Sequence, residues 1–287
     1  MPNIAWLNGK FLPLEEATVS IEDRGFQFGD GVYEVIRVYG GRPFRLDEHL
    51  SRLDQSAQAI SIPLTIEARE WKAFIREGLE RSTYSECKVY IQVTRGVAPR
   101  EHLFPETTRP TIVMTFREMA DLPAHLNQQG VSVITLPDLR WARCSIKSLN
   151  LLPNILSKQQ ANEAGAFEAL LIKDGMVTEG TSSNVILVKD GKLLTPVLSD
   201  QLLAGVTRQA VLELARNDGK VVEERPVKEE ELKQAEELFL IGTTIEVLSI
   251  TKLNGASVGN GTPGEVTKQM REKLQALIQG KSPKSRV

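Results

Sequence analysis

A polar, aperiodic stretch at residues 117–130, interrupted by Pro123, divides this chain of 287 residues into two differently patterned parts, and that change constrains the fold more than any single motif. Ahead of it, strand-like runs are joined by tight turns. Residues 4–7 and Phe11-Leu12 flank Asn8-Gly9, and residues 32–39, rich in β-branched and aromatic side chains, lead through Gly40-Gly41 into a return run at 42–46. Asp47 is placed to cap a helix in which Leu50, Leu53, Ala57 and Ile60 recur at helical spacing, and Trp71, Phe74, Ile75 and Leu79 mark a second helix. Further strands are expected at 88–94 and 111–116. Beyond the divide, strands near 131–135, 167–172, 185–188, 237–241 and 247–251 alternate with helices at 151–163, 206–215 and 264–278. Pro153 falls in the first turn of its helix, where a missing N–H costs nothing. This pattern gives an α/β (α+β) chain of two domains, 1–120 and 121–287, ending in a polar stretch, 279–284, that is expected to fray.

Charge and cysteine usage narrow the function classes. Thirty-five basic residues against 37 acidic ones leave a net charge of -2, so no global field favours nucleic acid or an anionic membrane. Small molecules or another subunit are the expected partners. Cys87 and Cys144 stand far apart with no CxxC spacing, which argues against a disulfide scaffold or a zinc cluster and fits a reducing compartment. No basic segment followed by an apolar core opens the chain, and no apolar run approaches a membrane span; a cytoplasmic protein without a metal is expected.

The residues that can carry chemistry lie in separate segments. Lys147 sits in Arg143-Cys144-Ser145-Ile146-Lys147-Ser148-Leu149-Asn150, between apolar and small neighbours. A lysine so placed sheds hydration and gives up its proton more readily, and a neutral amine is what condenses with an aldehyde. Glu179, after a short strand and before Gly180-Thr181-Ser182-Ser183, is a carboxylate that can pair with a protonated ring nitrogen or simply be a solvated turn acid. Gly205-Val206-Thr207 opens a helix, whose free amides bind dianions, although Thr207 would also serve as a plain N-cap. Thr243-Thr244 after a strand, and Arg52 on a helix, are further phosphate candidates; surface charge is the commoner fate of a helical arginine. Arg100 and His102 share a loop that could grip a carboxylate, and Tyr33 lies on the strand at 32–39. An amine, an acid for a ring nitrogen and phosphate donors are together the needs of a pyridoxal phosphate site.

In order along the chain, the run from Asp23-Arg24-Gly25 through Gly29-Asp30-Gly31-Val32-Tyr33-Glu34, then Ile146-Lys147-Ser148-Leu149-Asn150, then Thr178-Glu179-Gly180, closely resembles the class IV aminotransferases over nearly the whole length. Val93-Thr94-Arg95-Gly96 leading into Arg100 and His102, with Tyr33 on the matching strand, makes it most similar to the branch acting on D-amino acids. The resemblance implies a fold type IV homodimer with an N-terminal α/β sandwich, a C-terminal β-barrel-like domain with helices, and the active site between them. It assigns Lys147 to the Schiff base with pyridoxal 5'-phosphate and Glu179 to the pyridinium. Arg52, Val206, Thr207, Thr243 and Thr244 go to the phosphate, and Tyr33, Arg100 and His102 to the substrate carboxylate, the last two reaching in from the other subunit. Two positions depart from that branch, Ser145 where it carries aspartate and Gly242 where it carries serine. A D-amino acid donor, a 2-oxo acid acceptor and ping-pong kinetics follow. A branched-chain L-amino-acid or (R)-amine aminotransferase is the alternative, with an aminodeoxychorismate lyase behind it.

Overall fold

The computed structural model describes residues 3–281. The chain folds as two compact units, Met1–Ala120 with Ile146–Leu151, and Asp121–Ser145 with Leu152–Val287. Ile146–Leu151, expected in the second domain, therefore packs with the first unit.

The first unit is a six-stranded antiparallel sheet with helices on one face. Its elements are β1 (Ile4–Leu7), β2 (Lys10–Pro13), the short α1 (Arg24–Phe28), β3 (Gly31–Tyr39), β4 (Arg42–Pro43), α2 (Leu46–Ala59), α3 (Ala68–Ser82), β5 (Cys87–Thr94) and β6 (Thr111–Glu118). The strand order is β2-β1-β6-β5-β3-β4. Asn8 and Gly9 take φ of 48° and 97°, the left-handed pair that a two-residue hairpin requires. Along β3, Val32, Glu34, Ile36 and Val38 are buried while Tyr33, Val35 and Tyr39 are only partly so, the period of two that separates the faces of a strand. The buried face packs Ile36, Val89, Ile91, Met114 and Phe116 against Leu53, Trp71 and Ile75 of the helices. Trp6 anchors that core, its ring 4.8 Å from Phe74 and 6.5 Å from Trp71. A fully buried aromatic or Leu side chain contributes about 1.5–3 kcal/mol, so this layer fixes how β3 and α2 face each other.

The second unit contains α4 (Ala124–Gln129), β7 (Val131–Pro137), α5 (Leu152–Glu163), β8 (Glu168–Lys173), β9 (Met176–Gly180), β10 (Asn184–Lys189), β11 (Lys192–Thr195), α6 (Val206–Asn217), β12 (Val222–Glu224), α7 (Glu229–Leu232), β13 (Glu237–Gly242), β14 (Glu246–Leu253), β15 (Ala256–Ser257) and α8 (Glu265–Ile278). The sheet order is β12-β11-β10-β13-β14-β7-β8-β9, with β15 on β14. β9 stands last in that order and β10 third from the other end, yet only Thr181, Ser182 and Ser183 connect them. Four steps of chain reach at most ~14 Å, whereas five strand spacings of a flat sheet span about 24 Å. The sheet must therefore curl into a half-barrel, and Gly180 N donating to Ser183 O at 2.7 Å ties the short connection.

Several local expectations are corrected. The return run at 42–46 pairs only over Arg42–Pro43, because the chain already turns into α2 at Leu46. Asp47 is not the cap: Arg45 holds that place at φ 51°, and Asp47 and Glu48 sit in the first turn, where the helix dipole favours acids. The stretch at 117–130 is not featureless, since β6 runs on to Glu118 and α4 occupies Ala124–Gln129. Gln279, Gly280 and Lys281 each donate a backbone hydrogen bond into α8, against the expected fraying, while 282–284 lie outside the described residues. Among the described residues, no helix is long and apolar enough to cross a membrane.

Candidate active site

In the first unit the segment Ile146–Leu151 runs beside the start of β3. Tyr33 N donates to Lys147 O at 3.0 Å, Leu149 N donates to Gly31 O at 3.0 Å, and Lys147 N donates to Ser56 Oγ of α2 at 3.2 Å. These backbone ties, made to residues about a hundred positions away, hold the half-buried Lys147 with its Nζ 4.2 Å from the centre of the Tyr33 ring. Tyr33 and Glu34 are neighbours on β3 and so project to opposite faces. Glu34 meets α2, where residues 49, 52 and 56 share one face at helical spacing. Its carboxylate accepts from Arg52 Nη2 at 2.7 and 3.0 Å and lies 2.6 Å from His49 Nδ1. Glu34 is fully buried. Burial would raise its pKa, but the charge of Arg52, the hydrogen bond and charge of His49 and the charge of Lys147 outweigh it and hold the carboxyl below its ordinary value. Arg52 is therefore no loose surface cation: a buried acid orients it.

The second unit carries the other cluster. Glu179 is buried near the end of β9, inside the strand rather than after it. One oxygen pairs with Arg140 Nη1, and the other accepts from Asn184 Nδ2 and from Leu203 N, each at 3.1 Å. Arg140 is in turn gripped by Asp138, at 2.9 Å from Nε and 2.8 Å from Nη2, and Thr178 Oγ donates to Asp138 at 2.8 Å. Desolvation works against the Arg140 charge, yet the two carboxylates raise its pKa above the ordinary arginine value. Asn184 Nδ2 also donates to Leu203 O at 3.0 Å, tying the start of β10 to the segment leading into α6. There Gly205 occupies the N-cap without a side-chain cap, and a Cβ on it would collide with Asn184 Oδ1. Val206 and Thr207, both buried, follow as the first helical residues, so Thr207 is not the N-cap. Thr243 and Thr244 lie in the β13–β14 turn, and a Cβ on the preceding Gly242 would come within 3.7 Å of Ser182 O.

Arg100 and His102 form a third group around Phe28: Arg100 lies over that ring at 4.5 Å, and the His102 ring is 5.7 Å from it. Both side chains are exposed, and Arg100 Nη1 donates to Gln27 O at 3.2 Å. Lys147, Tyr33 and Arg52 are thus gathered in the first unit through β3, and Glu179, Val206 and Thr207 in the second through Asn184 and Leu203. Sequence reasoning missed Glu34, His49, Asp138, Arg140 and Asn184. Asp138 and Arg140 do carry a weak signal, since charged residues two apart at a strand end point to one side.

The donor set fits the cofactor expected from the sequence. An uncapped helix start leaves its first amides for an anion, an arginine is held in place by a buried acid, and a half-buried amine lies over an aromatic ring. Glu179, with one oxygen on a guanidinium and the other on two N–H groups, is a carboxylate suited to a cationic nitrogen.

Residues 31–253 match the family model described as amino-transferase class IV. D-alanine aminotransferase of Bacillus licheniformis is 45% identical over 278 residues, which cover 97% of this chain and 98% of that one. Among solved structures, the branched-chain amino acid aminotransferase of Escherichia coli aligns with a TM-score of 0.92 at 26% identity, covering 100% of this chain and 98% of that one. A second branched-chain amino acid aminotransferase, from T.th. and solved with pyridoxamine 5'-phosphate, aligns with a TM-score of 0.90 at 28% identity, covering 98% of this chain and 95% of that one.

Proposed function

The chain belongs to the class IV aminotransferases, and on that premise we propose that it uses pyridoxal 5'-phosphate to move the amino group of a D-amino acid, of the D-alanine or D-glutamate type, to a 2-oxo acid in two ping-pong half-reactions. The observation that carries the hand of the substrate is the near full-length identity with D-alanine aminotransferase of Bacillus licheniformis, well above that with the solved branched-chain enzymes. When bound, the cofactor supplies an electron-poor ring that takes up the electron pair left on the substrate's α-carbon.

Lys147 would hold the cofactor's aldehyde and, once released, act through Nζ as the base that removes the α-proton. Its backbone ties to Tyr33 and Ser56 limit how far that nitrogen can wander, which is what makes a single amine an effective base. Glu179 would keep a proton on the ring nitrogen, with Arg140 and Asn184 fixing the direction of the carboxylate. Arg52, the amides of Val206 and Thr207, and the hydroxyls of Thr207, Thr243 and Thr244 would receive the phosphate. Tyr33, Arg100 and His102 would grip the substrate carboxylate. A homodimer in which Arg100 and His102 serve the neighbouring copy is supported by Phe26, Val97, Leu103 and Phe104, large apolar side chains left exposed on and beside that loop. A reducing, cytoplasmic setting is supported by two buried free cysteines, Cys87 with its thiol pushed by burial up to about 11.

The branched-chain reading draws on the solved structures. The test is to add D-alanine, D-glutamate, their L-enantiomers and an (R)-amine separately to holoenzyme without acceptor and follow conversion to pyridoxamine phosphate by absorbance. Conversion by D-amino acids alone is expected; conversion by L-amino acids or by the amine instead would overturn the assignment of hand.

A further inference from the structure

The loop that bears Arg100 and His102 is exposed, yet two buried arginines hold it from beneath, Arg24 by its backbone and Arg95 by the Phe104 ring. Asp30 accepts from Arg24 Nε at 2.8 Å and from Arg95 through Nε at 2.8 Å and Nη2 at 3.0 Å. Both guanidinium groups continue onto backbone carbonyls. Arg24 Nη1 donates to Glu101 O at 2.5 Å and reaches Leu103 O at 3.4 Å, the residues on either side of His102. Arg95 donates to Ser61 O at 2.9 Å and Ile60 O at 2.7 Å, and lies 3.6 Å over the Phe104 ring. Arg24 also flanks Phe28 at 4.8 Å, the ring that Arg100 covers at 4.5 Å.

Where the loop departs from β5, Gly96 holds φ 101° and a Cβ there would collide with Arg109 O, so no other residue lets the two ends approach as closely. Arg24 N donates to Gly96 O at 2.9 Å and Ala98 N to Glu22 O at 3.2 Å, which adds two ties between 22–24 and 96–98. Burial would raise the Asp30 carboxyl, but the hydrogen bonds and charges of Arg95 and Arg24 outweigh it and hold it below its ordinary value. A half-buried anion shared by two buried arginines makes a rigid strut, because an arginine moved off it becomes a buried cation without its counter-charge.

We infer that Asp30, Arg24 and Arg95 are positioning residues that set the 100–104 loop, so that affinity for a carboxylate on the substrate's reacting carbon depends on this strut as well as on Arg100 and His102. The inference rests on the reading of Arg100 and His102 as carboxylate ligands. A strut of this kind acts on substrate binding and leaves proton transfer at Lys147 untouched, which separates it from a general structural role.

The experiment compares holoenzyme carrying Arg24→Lys, Phe104→Ala or Arg100→Ala, reading KM and kcat for D-alanine and hydrogen exchange of the 101–104 amides. Arg24→Lys keeps the charge but loses the fork; it is expected to raise KM about tenfold with kcat within about twofold, and to speed exchange in the loop. Phe104→Ala, which leaves Asp30 and both arginines in place and so guards against a misfolded first variant, is expected to raise KM about threefold. If Arg100→Ala raises KM while the other two leave it unchanged, the strut is refuted and the carboxylate reading stands. If Arg100→Ala leaves KM unchanged, the carboxylate reading fails and the inference with it. A fall in kcat with cofactor loss in Arg24→Lys and no change in Phe104→Ala would also refute it, by reducing the cluster to a folding element.

Discussion

Glu34 in the first unit and Glu179 in the second are both buried carboxylates, but their surroundings are wired in opposite senses. Around Glu34 one anion serves Arg52, His49 and Lys147. Around Arg140 one cation serves Asp138 and Glu179. The first cluster is thus built around an anion that orients cations, and the second around a cation that holds two anions. The contrast also separates two roles for a buried acid. Glu34 has its carboxylate committed to chain cations, so its task is to orient them; Glu179 has its direction fixed by neighbours that leave it a net anion.

The largest expected break of this contrast comes from Glu179→Ala. It should lower kcat for D-alanine by about a thousandfold, within the range of a positioned proton-transfer group, while Asp138 keeps Arg140 paired and the fold intact. Steady-state kinetics with a circular-dichroism melt will read both; a fall of less than about tenfold would remove Glu179 from the chemistry. Next in size is Glu34→Gln, which leaves the half-buried Arg52 and the buried His49 beside a neutral amide and should cost about 3 kcal/mol of stability by urea unfolding, with weaker cofactor retention. Were it to cost nothing, Glu34 would not be orienting Arg52.

The smallest effect sharpens the comparison through pH. Because the Glu34 pKa is depressed from 4.5, its contribution is present above that value and is lost as pH falls through the folded-state pKa. The gap in unfolding free energy between the wild type and Glu34→Gln should therefore narrow below pH 4.5, by at most about 1.4 kcal/mol per pH unit. Urea midpoints at several acid pH values will show it, and a constant gap would refute the sign.

Much of the frame was legible in the sequence because it rests on local period and turn chemistry. β3, α2, β5 and α6 follow from alternation or helical spacing within one window, and Asn8-Gly9 announced its hairpin. What escaped was set by partners far along the chain. Glu34 reads in sequence as an ordinary acid in a strand, and only the packing of α2 on β3 shows that it meets His49 and Arg52. Arg140 could not be tied to Glu179, 39 residues on, before the pairing of β8 with both β7 and β9 placed β9 near the strand end at Pro137. Lys147, Glu179 and the residues of the α6 start could be singled out by type and spacing, whereas the acids and amides that contact Arg52 and Glu179 could not. Short elements such as α4 and β15 escaped for another reason, being too brief to show a period.

The return of Ile146–Leu151 to the first unit has a consequence for the order in which this protein is made. When residues 1–120 have emerged from a ribosome, all six strands of the first sheet exist, yet the backbone partners of Tyr33 and Gly31 are still to be synthesised. The first unit stays unfinished until a further stretch has been added, most of which belongs to the other unit. Neither half can be released early as a complete piece, and Lys147 is synthesised only after every strand of the sheet beside which it packs.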